Sequence, residues 1–275
     1  MRTLPLPAAA VKLPMNRQQV AAAALLAAIL LPLRVAAAVE EALQRYVDDY
    51  RSDPMLVDAY FGVKIGENWW TVESAHGRDG TPPRVELTAG PPAKPTWYFK
   101  IESADALERL DRGDVTFGTL AGKANSSDYA PMDIDVMPGH LADGKAPGSE
   151  FYETLTKVGF HFWYRGNPEV VPFARQAMRR IHGTDATALY YQPGLRTIAF
   201  SMKPGQHAFE GENSKGPWSK LLVFTSGRGK ALIDGRTIDV QSGERLFVPP
   251  KVVNEIWNDS EEPLEGIVIV FGEGA

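Results

Sequence analysis

Histidine and acidic side chains are the groups in this sequence whose types could carry catalysis or bind a metal. No two of the five histidines are close enough for a short metal-binding motif, and they lie at His76, His140, His161, His182 and His207. Three acidic residues in one loop-rich stretch could bind calcium, namely Asp128, Asp133 and Asp135. The stretch lacks the glycine and glutamate of a helix–loop–helix calcium site, so we expect a solvated acidic loop.

Local motifs for nucleophilic catalysis are absent from the sequence. The chain has no Cys, which excludes a thiol nucleophile, a disulfide framework and a Cys-ligated metal. It also has no Gly-x-Ser-x-Gly elbow and no phosphate-binding glycine loop. His207, just after the turn at Pro204-Gly205, is interpreted either as a lone binding or acid/base residue or as an ordinary loop residue.

The charge distribution argues against polyanionic partners. The 275 residues carry a formal charge of −5, but residues 1–38 contain four basic residues and no acidic one. Without that segment, the formal charge of the remaining chain is more negative by four. Such a body repels phosphate backbones and anionic lipid surfaces, so nucleic-acid binding is not expected.

The N-terminal segment has the order of a secretory signal. Arg17 precedes an uncharged run at residues 20–33, and the small residues 36–38 follow it. The run is too short for a comfortable membrane span, and Met15 is a second possible start. We expect residues 1–38 to be removed, giving a periplasmic or secreted protein with no integral membrane span. An uncleaved anchor and a cytoplasmic protein with an N-terminal helix remain alternatives.

Hydrophobic periodicity predicts an α+β region before residue 184. We expect helices at residues 39–50, 104–112, 150–158 and 168–182, separated by a loop-rich stretch at residues 126–149. Strands are expected at residues 62–74 (two strands around a turn), 84–88, 96–101 and 115–123.

The remainder of the chain has an all-β pattern. Eight short apolar runs are separated by Gly, Pro, Asn and Asp turns, and they lie at residues 187–191, 197–202, 220–226, 229–235, 236–240, 244–249, 254–258 and 266–272. This density of short strands predicts a small barrel or jelly roll, with a domain boundary near residues 183–185. The expected division is therefore residues 1–38, 39–183 and 184–275.

The stretch from Gly243 to Asn258 resembles the second conserved motif of the cupin family. Gly243, Pro249 and Asn258 match in register, while Lys251 stands at the motif's second glycine. The stretch around Gly227 similarly resembles the end of the first cupin motif. The resemblance covers residues 187–275 and implies a cupin barrel.

The cupin resemblance also implies that the usual metal ligands are missing. Lys220 stands where the family has a metal-binding Glu, and Asn254 stands at its last metal-binding His. An ammonium repels a cation and an amide is a weak ligand, so no metal or other cofactor is expected. We interpret Lys220 as either a partner of Glu210 or Glu212 in a polar centre of the barrel, or as a solvated charge like those two.

The run from Thr96 to Lys123 is similar to the centre of the sterol carrier protein lipid-transfer family. A strand, a helix with a Leu pair, a Gly, a second strand and a Gly-Lys turn follow in order, and the resemblance covers about residues 60–175. It implies an apolar tunnel beside a five-stranded sheet. Aromatic residues expected to line it are Trp69, Trp70, Trp97, Phe99, Phe117, Phe162 and Trp163, although an ordinary core is the alternative for each.

These observations give three functional hypotheses. The first is a binding or transfer protein for an apolar small molecule (a lipid, sterol or acyl chain), in which a sterol-carrier-like α+β domain precedes an accessory, metal-free cupin-like barrel. The second is a cupin-type enzyme, metal-independent or with an atypical metal, in which Lys220 and His207 act as acid and base. The third is a structural or oligomerisation protein. A homodimer through the barrel is possible in each case.

Overall fold

The structure, a computed structural model, describes residues 35–78, 80–123, 127–141, 148–165, 170–208 and 215–275. The signal-like run at residues 20–33, as well as Glu210 and Glu212, lies outside this range. Within the described residues, no helix combines the length and the apolar character needed to cross a membrane.

The α+β region is built on one five-stranded sheet. The strands follow in the spatial order β3-β2-β1-β4-β5. Only the β1–β4 pair is parallel, and the other pairs are antiparallel. Their bounds are β1 Ala59–Ile65, β2 Asn68–Ala75, β3 Arg84–Ala89, β4 Trp97–Ile101 and β5 Met132–Val136.

Strand β5 lies within the stretch for which the sequence analysis predicts only loop. Its sequence alternates apolar and acidic residues, with Ile134 between Asp133 and Asp135. That period-2 pattern is the signal of a strand with one exposed face. Asp133 and Asp135 therefore share a face of the sheet, where they contact Lys123 and the Tyr98 hydroxyl respectively.

Four α-helices lie in the described part of the chain. They are α1 (residues 35–51), α2 Ala104–Asp111, α3 Phe117–Ala121 and α4 Ser149–Phe162. Helix α2 begins where predicted, because the Ser103 side chain accepts a hydrogen bond from the Ala106 N–H. Helix α4 begins near its predicted start but continues one turn further.

The strand predicted at residues 115–123 is wrong, because α3 occupies this position. The Thr116 hydroxyl accepts a hydrogen bond from the Thr119 N–H, and the Thr119 side chain accepts one from the Thr116 N–H. This reciprocal capping box begins a helix in a stretch rich in β-branched residues. Local capping outweighs the apolar alternation from which the strand was predicted.

The helix predicted at residues 168–182 is also wrong. The described part of this stretch holds one 3-10 turn, Arg175–Ala177, followed by strand β6, Arg179–Ile181. Pro172 lacks the N–H that a helix interior requires, which disfavours a continuous helix. The end of the stretch pairs with the next strand instead through a turn at His182 and Gly183.

All strands from residue 179 onward form two antiparallel sheets. One sheet has the order β13-β10-β15-β8-β7-β6, and the other has the order β12-β11-β14-β9. Their bounds are β7 Thr184–Gln192, β8 Leu195–Met202, β9 His207–Ala208, β10 Ser219–Ser226, β11 Arg228–Ile233, β12 Arg236–Gln241, β13 Arg245–Val248, β14 Asn254–Trp257 and β15 Leu264–Phe271. The eight strands predicted from turn spacing are confirmed. We call these two sheets the barrel.

Two hydrophobic cores lie within one compact unit, residues 39–275. The first core contains residues up to Tyr164, and the second begins at Ala186. Strand β7 takes part in both cores, since Ala186 belongs to the second while Tyr190 packs against the first. The two cores therefore share this strand.

Three buried threonines join the two cores. The Thr187 hydroxyl lies 3.1 Å from that of Thr116 and 2.8 Å from that of Thr119. The Thr119 hydroxyl also donates to the Ala177 carbonyl. Buried hydroxyls without such partners would cost free energy, so this cluster fixes α3 against β7.

Arg179 makes a second connection beside the threonine cluster. Its Nε donates to the Thr119 carbonyl at 3.0 Å, and one Nη donates to the Tyr129 carbonyl at 3.0 Å. The other Nη donates to the Gly122 carbonyl. One side chain from the barrel edge therefore satisfies three backbone carbonyls of the α+β region.

Candidate functional site

A cavity of about 410 Å³ lies between the sheets of the barrel. Because side chains alternate along a strand, every second residue of β8 and β10 points into it. Most of its wall is apolar and includes Ala186, Ile198, Phe200, Leu222, Val268 and Val270. This volume falls within the range of small-molecule sites, roughly 300–1,000 Å³.

Lys220 and Asn254 form a buried polar pair at this cavity. The Lys220 Nζ donates to the Asn254 Oδ1 at 2.9 Å, and the Asn254 Nδ2 donates to the Val252 carbonyl at 3.0 Å. Lys220 is 7% exposed and lines the cavity. Burial lowers the pKa of its ammonium group, because desolvation disfavours the charged form. Both residues were predicted to be site residues from their positions in the cupin motifs, and the structure brings them together.

Arg196 is a second cationic residue at the cavity wall. Its guanidinium carbon lies 4.8 Å from the ring centroid of Tyr191 and 4.6 Å from that of Trp218. Trp218 is itself held by a hydrogen bond from its Nε1 to the Glu273 carbonyl. Stacking between two aromatic rings fixes the plane of the guanidinium group.

His182 lies at the edge of the cavity that faces the α+β region. It is the first residue of a two-residue hairpin loop between β6 and β7, and both His182 and Gly183 have positive φ, 50° and 81°. This geometry is that of a type I′ turn. Burial, and then the charge of Lys220, lower the pKa of His182, while Asp128 opposes them. The imidazole is therefore mostly neutral at pH 7.

His207 is not brought together with Lys220. Strand β9 pairs with β14 so that Ala208 opposes Ile256 and His207 opposes Trp257. Ala208 and Ile256 line the cavity, so His207 and Trp257 point to the other face, where their rings stack at 5.8 Å. The hypothesis of a Lys220–His207 acid/base pair finds no support in this geometry.

The aromatic residues predicted to line a tunnel divide between two faces of the five-stranded sheet. Trp70 is buried, whereas Trp69 lies on the opposite face against Tyr98, with ring centroids 4.8 Å apart. The other five are buried with Trp70 in the first core: Trp97, Phe99, Phe117, Phe162 and Trp163. The ring of Phe99, for example, lies 5.3 Å from that of Trp163. Trp69 is thus separated from the other six, which pack against one another.

Acidic and histidine side chains are dispersed through the described structure. In the part of the chain that the structure describes, no group of three or more His, Asp or Glu residues is placed to hold a metal ion. The acidic stretch makes other contacts. Asp133 pairs with Lys123 at 2.7 Å, and Asp135 accepts from the Tyr98 hydroxyl at 3.0 Å.

The residues that carry the cupin resemblance have structural roles. The Asn258 Nδ2 donates to the carbonyls of Met202 and Glu262, and its Oδ1 accepts from Ser260. Gly243 has a φ of 85°, in the turn between β12 and β13. Lys251, at the motif's second glycine, also has a positive φ, 64°. Lys251 therefore adopts the left-handed backbone conformation that glycine accommodates most readily.

The C-terminal part of the chain is therefore an antiparallel two-sheet β barrel whose strands line most of a partly apolar, cationic cavity. No protein-family model and no curated protein matches the sequence. Solved structures do match in part, and several are barrel proteins described as cupins.

Three of these structures illustrate the extent of the match. A cupin 2 conserved barrel domain protein from Salinispora arenicola is 18% identical, and the match covers 38% of this chain and 88% of that one, with a TM-score of 0.34. A conserved protein of unknown function from Streptococcus pyogenes is 18% identical over 40% and 91% of the chains, with a TM-score of 0.33. A predicted oxalate decarboxylase from Thermotoga maritima is 13% identical over 37% and 98%, with a TM-score of 0.33.

Two site residues were missed by the sequence analysis, and each had a signal. Arg196 shares its strand face with three apolar residues, Ile198, Phe200 and Met202. A charge within an alternating apolar set indicates a cation on an inner face. His182 precedes a glycine between two short strands, which is the position of Asn in an Asn-Gly hairpin turn.

We expect Lys220→Met to flatten the dependence of stability on pH below 10.5. The ordinary pKa of the Lys220 ammonium is 10.5, and burial lowers it in the folded state. Between the two values the unfolded chain binds more protons, so the wild-type free energy of unfolding rises with pH there. Methionine does not titrate and removes that rise. Urea unfolding at several pH values from 7 to 10.5 measures the slope.

Lys230→Met is the control, because the pKa of Lys230 is shifted in the opposite direction. The Lys230 ammonium is exposed, and its hydrogen bond to Asp259 raises its pKa above 10.5. Its contribution to stability is present below 10.5 and is lost as the pH rises above that value, so this variant should leave the slope below 10.5 unchanged. A Lys220→Met slope equal to that of the wild type would contradict the burial effect.

Proposed function

We propose that the barrel binds an apolar small molecule in its internal cavity. The observation that carries this proposal is the cavity itself, about 410 Å³ with walls formed mainly by aliphatic and aromatic side chains. Protein interiors are normally packed with few voids larger than a water molecule. A cavity of this size within a packed barrel is therefore a feature that a ligand would fill.

The barrel is proposed to be cupin-like but to work without the family's metal. Gly243, Pro249 and Asn258 match the second cupin motif in register, which supports a cupin-like barrel. The side chains at the positions of the family's metal ligands support the absence of a metal. The Lys220 ammonium donates to the same Asn254 oxygen that would have to face a cation. A positive charge at this point repels a divalent ion, so the residues do not fit a metal centre.

A sterol-carrier-like α+β region would bind its ligand at a different place. A lipid, sterol or acyl chain would then enter among six aromatic residues: Trp70, Trp97, Phe99, Phe117, Phe162 and Trp163. These side chains are buried and pack against one another. Entry of a ligand would require this core to open. The two locations predict different outcomes for a variant that fills the barrel cavity.

Filling the cavity tests the location of binding. Val268→Phe adds volume at the inner face of β15, while the neighbouring residue Ile269 points to the other face, so Ile269→Phe is the matched control. We expect the full-length protein to take up 1-octanol or octanoate in a one-to-one ratio by calorimetry. Uptake should be lost in Val268→Phe and kept in Ile269→Phe.

Each result of this experiment has one meaning. Uptake by both variants would overturn the barrel site and favour the α+β region. Failure of the wild type to take up either compound would overturn small-molecule binding of this kind. Circular dichroism and thermal unfolding check that both variants are folded, since overpacking a core costs about 1–3 kcal/mol.

An enzyme is the second candidate, on one specific observation. Lys220 is a buried amine at the cavity, and His182 is close enough for the lysine charge to lower the pKa of its imidazole. Groups whose charged forms are disfavoured by burial are suited to exchanging protons with a bound substrate. If the barrel is catalytic, Lys220→Met should keep ligand binding and lose conversion of the bound compound, measured by mass spectrometry.

Export and self-association remain proposals. The signal-like order of residues 17–38 supports removal of that segment, which N-terminal sequencing of the mature protein would test. Two exposed phenylalanines on the outer face of the barrel, Phe247 and Phe271, support a homodimer. Light scattering of the purified protein would measure its mass.

A further inference from the structure

Arg196 has a property that binding of a purely apolar molecule does not account for. Its Nε is buried, and among the described residues no acceptor lies within hydrogen-bond distance of it. The guanidinium contacts the rings of Tyr191 and Trp218 instead. Among the described residues, its only recorded interactions are thus with aromatic faces.

A buried donor of this kind is energetically unfavourable. An arginine cannot be neutralised at any accessible pH, so it cannot avoid the cost by losing its proton. A buried polar group without a partner costs about 1–3 kcal/mol, and more for a charged group. An acceptor supplied from the cavity would remove this cost.

The sheet register places Arg196 beside the other buried cation. Lys220 on β10 opposes Val270 on β15, and Val270 opposes Arg196 on β8. The three residues form one row across neighbouring strands on the inner face. Neighbouring strands are about 4.8 Å apart, so the Lys220 and Arg196 backbones lie about 10 Å apart with an aliphatic residue between them.

The described lining of the cavity contains no acidic residue. Among these residues the ionisable ones are all basic: Lys123, His182, Arg196 and Lys220. Lys123 is already paired with Asp133 outside the cavity wall. The remaining walls are apolar, apart from Thr184. The cavity therefore combines the cationic guanidinium group of Arg196 with an apolar surface.

We propose that the ligand of the barrel is an organic acid, whose carboxylate binds Arg196 and whose apolar body lies against Val270 and Ile198. This inference rests on the proposed binding function and specifies the class of ligand. The planar fork of a guanidinium matches the two oxygens of a carboxylate. A singly charged carboxylate also costs less to bring into an apolar cavity than a more highly charged anion. Lys220 lies at the other end of the row.

The test compares compounds that share one apolar body. Octanoate, 1-octanol and octanamide differ only in the head group, as do 3-phenylpropanoate and 3-phenyl-1-propanol. Titration calorimetry with the full-length wild type should show that the acid binds about 10- to 100-fold more tightly than the alcohol or the amide, as expected for charge-assisted hydrogen bonds.

Two substitutions locate the preference on Arg196. Arg196→Met keeps an unbranched apolar stem and should lower the affinity for the acid to that for the alcohol, with the affinity for the alcohol unchanged. Arg196→Lys keeps the charge without the fork and should give an intermediate affinity, which covers the case in which the Met variant does not fold. Arg236→Met, at an exposed arginine on β12, is the control.

The outcomes separate this inference from the function on which it rests. Alcohol binding as tight as acid binding would overturn the carboxylate site and leave the binding function intact. A preference for the acid that survives in a folded Arg196→Met or Arg196→Lys variant would overturn the assignment to Arg196. Binding of none of the compounds would overturn the binding function itself.

Discussion

Replacement of Arg179 with Met is expected to lower the free energy of unfolding by about 2–4 kcal/mol. The guanidinium group donates to the carbonyls of Thr119, Gly122 and Tyr129, and methionine can donate to none of them. Burial also lowers the pKa of Arg179, because its guanidinium group is partly shielded from water. The three carbonyls would lose partners that solvent replaces only in part.

The neighbouring arginine offers a matched control. Arg180 is exposed and lies 3.7 Å from Asp185, a distance at which surface ion pairs contribute about 0–1 kcal/mol. Arg180→Met should therefore change stability by about 0.5 kcal/mol or less. Urea unfolding of both variants measures the difference, and equal effects would refute the role of Arg179.

The same variant should also affect the cavity. Gly122 and Lys123 line it, and Arg179 holds the carbonyl of Gly122. Loss of that bond releases the segment that forms this side of the wall. We expect Arg179→Met to weaken octanoate binding even at temperatures where the protein is fully folded.

Gly118→Ala is expected to cost about 3 kcal/mol or more, because α3 lies directly on the backbone of β7. A Cβ at Gly118 would be 1.8 Å from the Ala188 carbonyl oxygen and 2.7 Å from the carbonyl carbon. The obstacle is backbone, so it cannot turn aside as a side chain would. Either α3 or β7 has to move, and overpacking without relief exceeds the usual 1–3 kcal/mol.

Gly148→Ala is the control for the glycine substitution. Gly148 has a φ of −73°, and nothing lies within 4 Å of a Cβ built there. Its replacement should cost less than about 1 kcal/mol. Thermal and urea unfolding of both variants measure the costs, and a Gly118→Ala protein as stable as the control would show that α3 does not require this close approach.

Period-2 alternation and turn residues predict most of the barrel. They locate all eight strands predicted between residues 187 and 272, because each run of apolar residues is bounded by residues with strong turn preferences. The two-residue β9 and the three-residue β6 were missed, since such short segments show no period. Strand β6 exists because it pairs with β7 across a tight turn, which is a tertiary effect.

The site was predicted in part for a similar reason. Motif register identified Lys220 and Asn254, which are adjacent in the structure although 34 residues apart in the sequence. The register of the cupin motifs did not identify Arg196, because its proposed role in binding depends on the row that it forms with Val270 and Lys220 across neighbouring strands. The separation of Trp69 from Trp70 follows from strand alternation alone and was available from the sequence.

Strand β7 couples ligand binding in the barrel to the stability of the α+β region. Because β7 contributes residues to both hydrophobic cores, neither core can open without disturbing this shared strand. A ligand that stabilises the barrel thereby raises the free energy of opening for the α+β region as well. We therefore expect a ligand in the cavity to slow amide hydrogen exchange in helices α3 and α4, which the ligand does not touch.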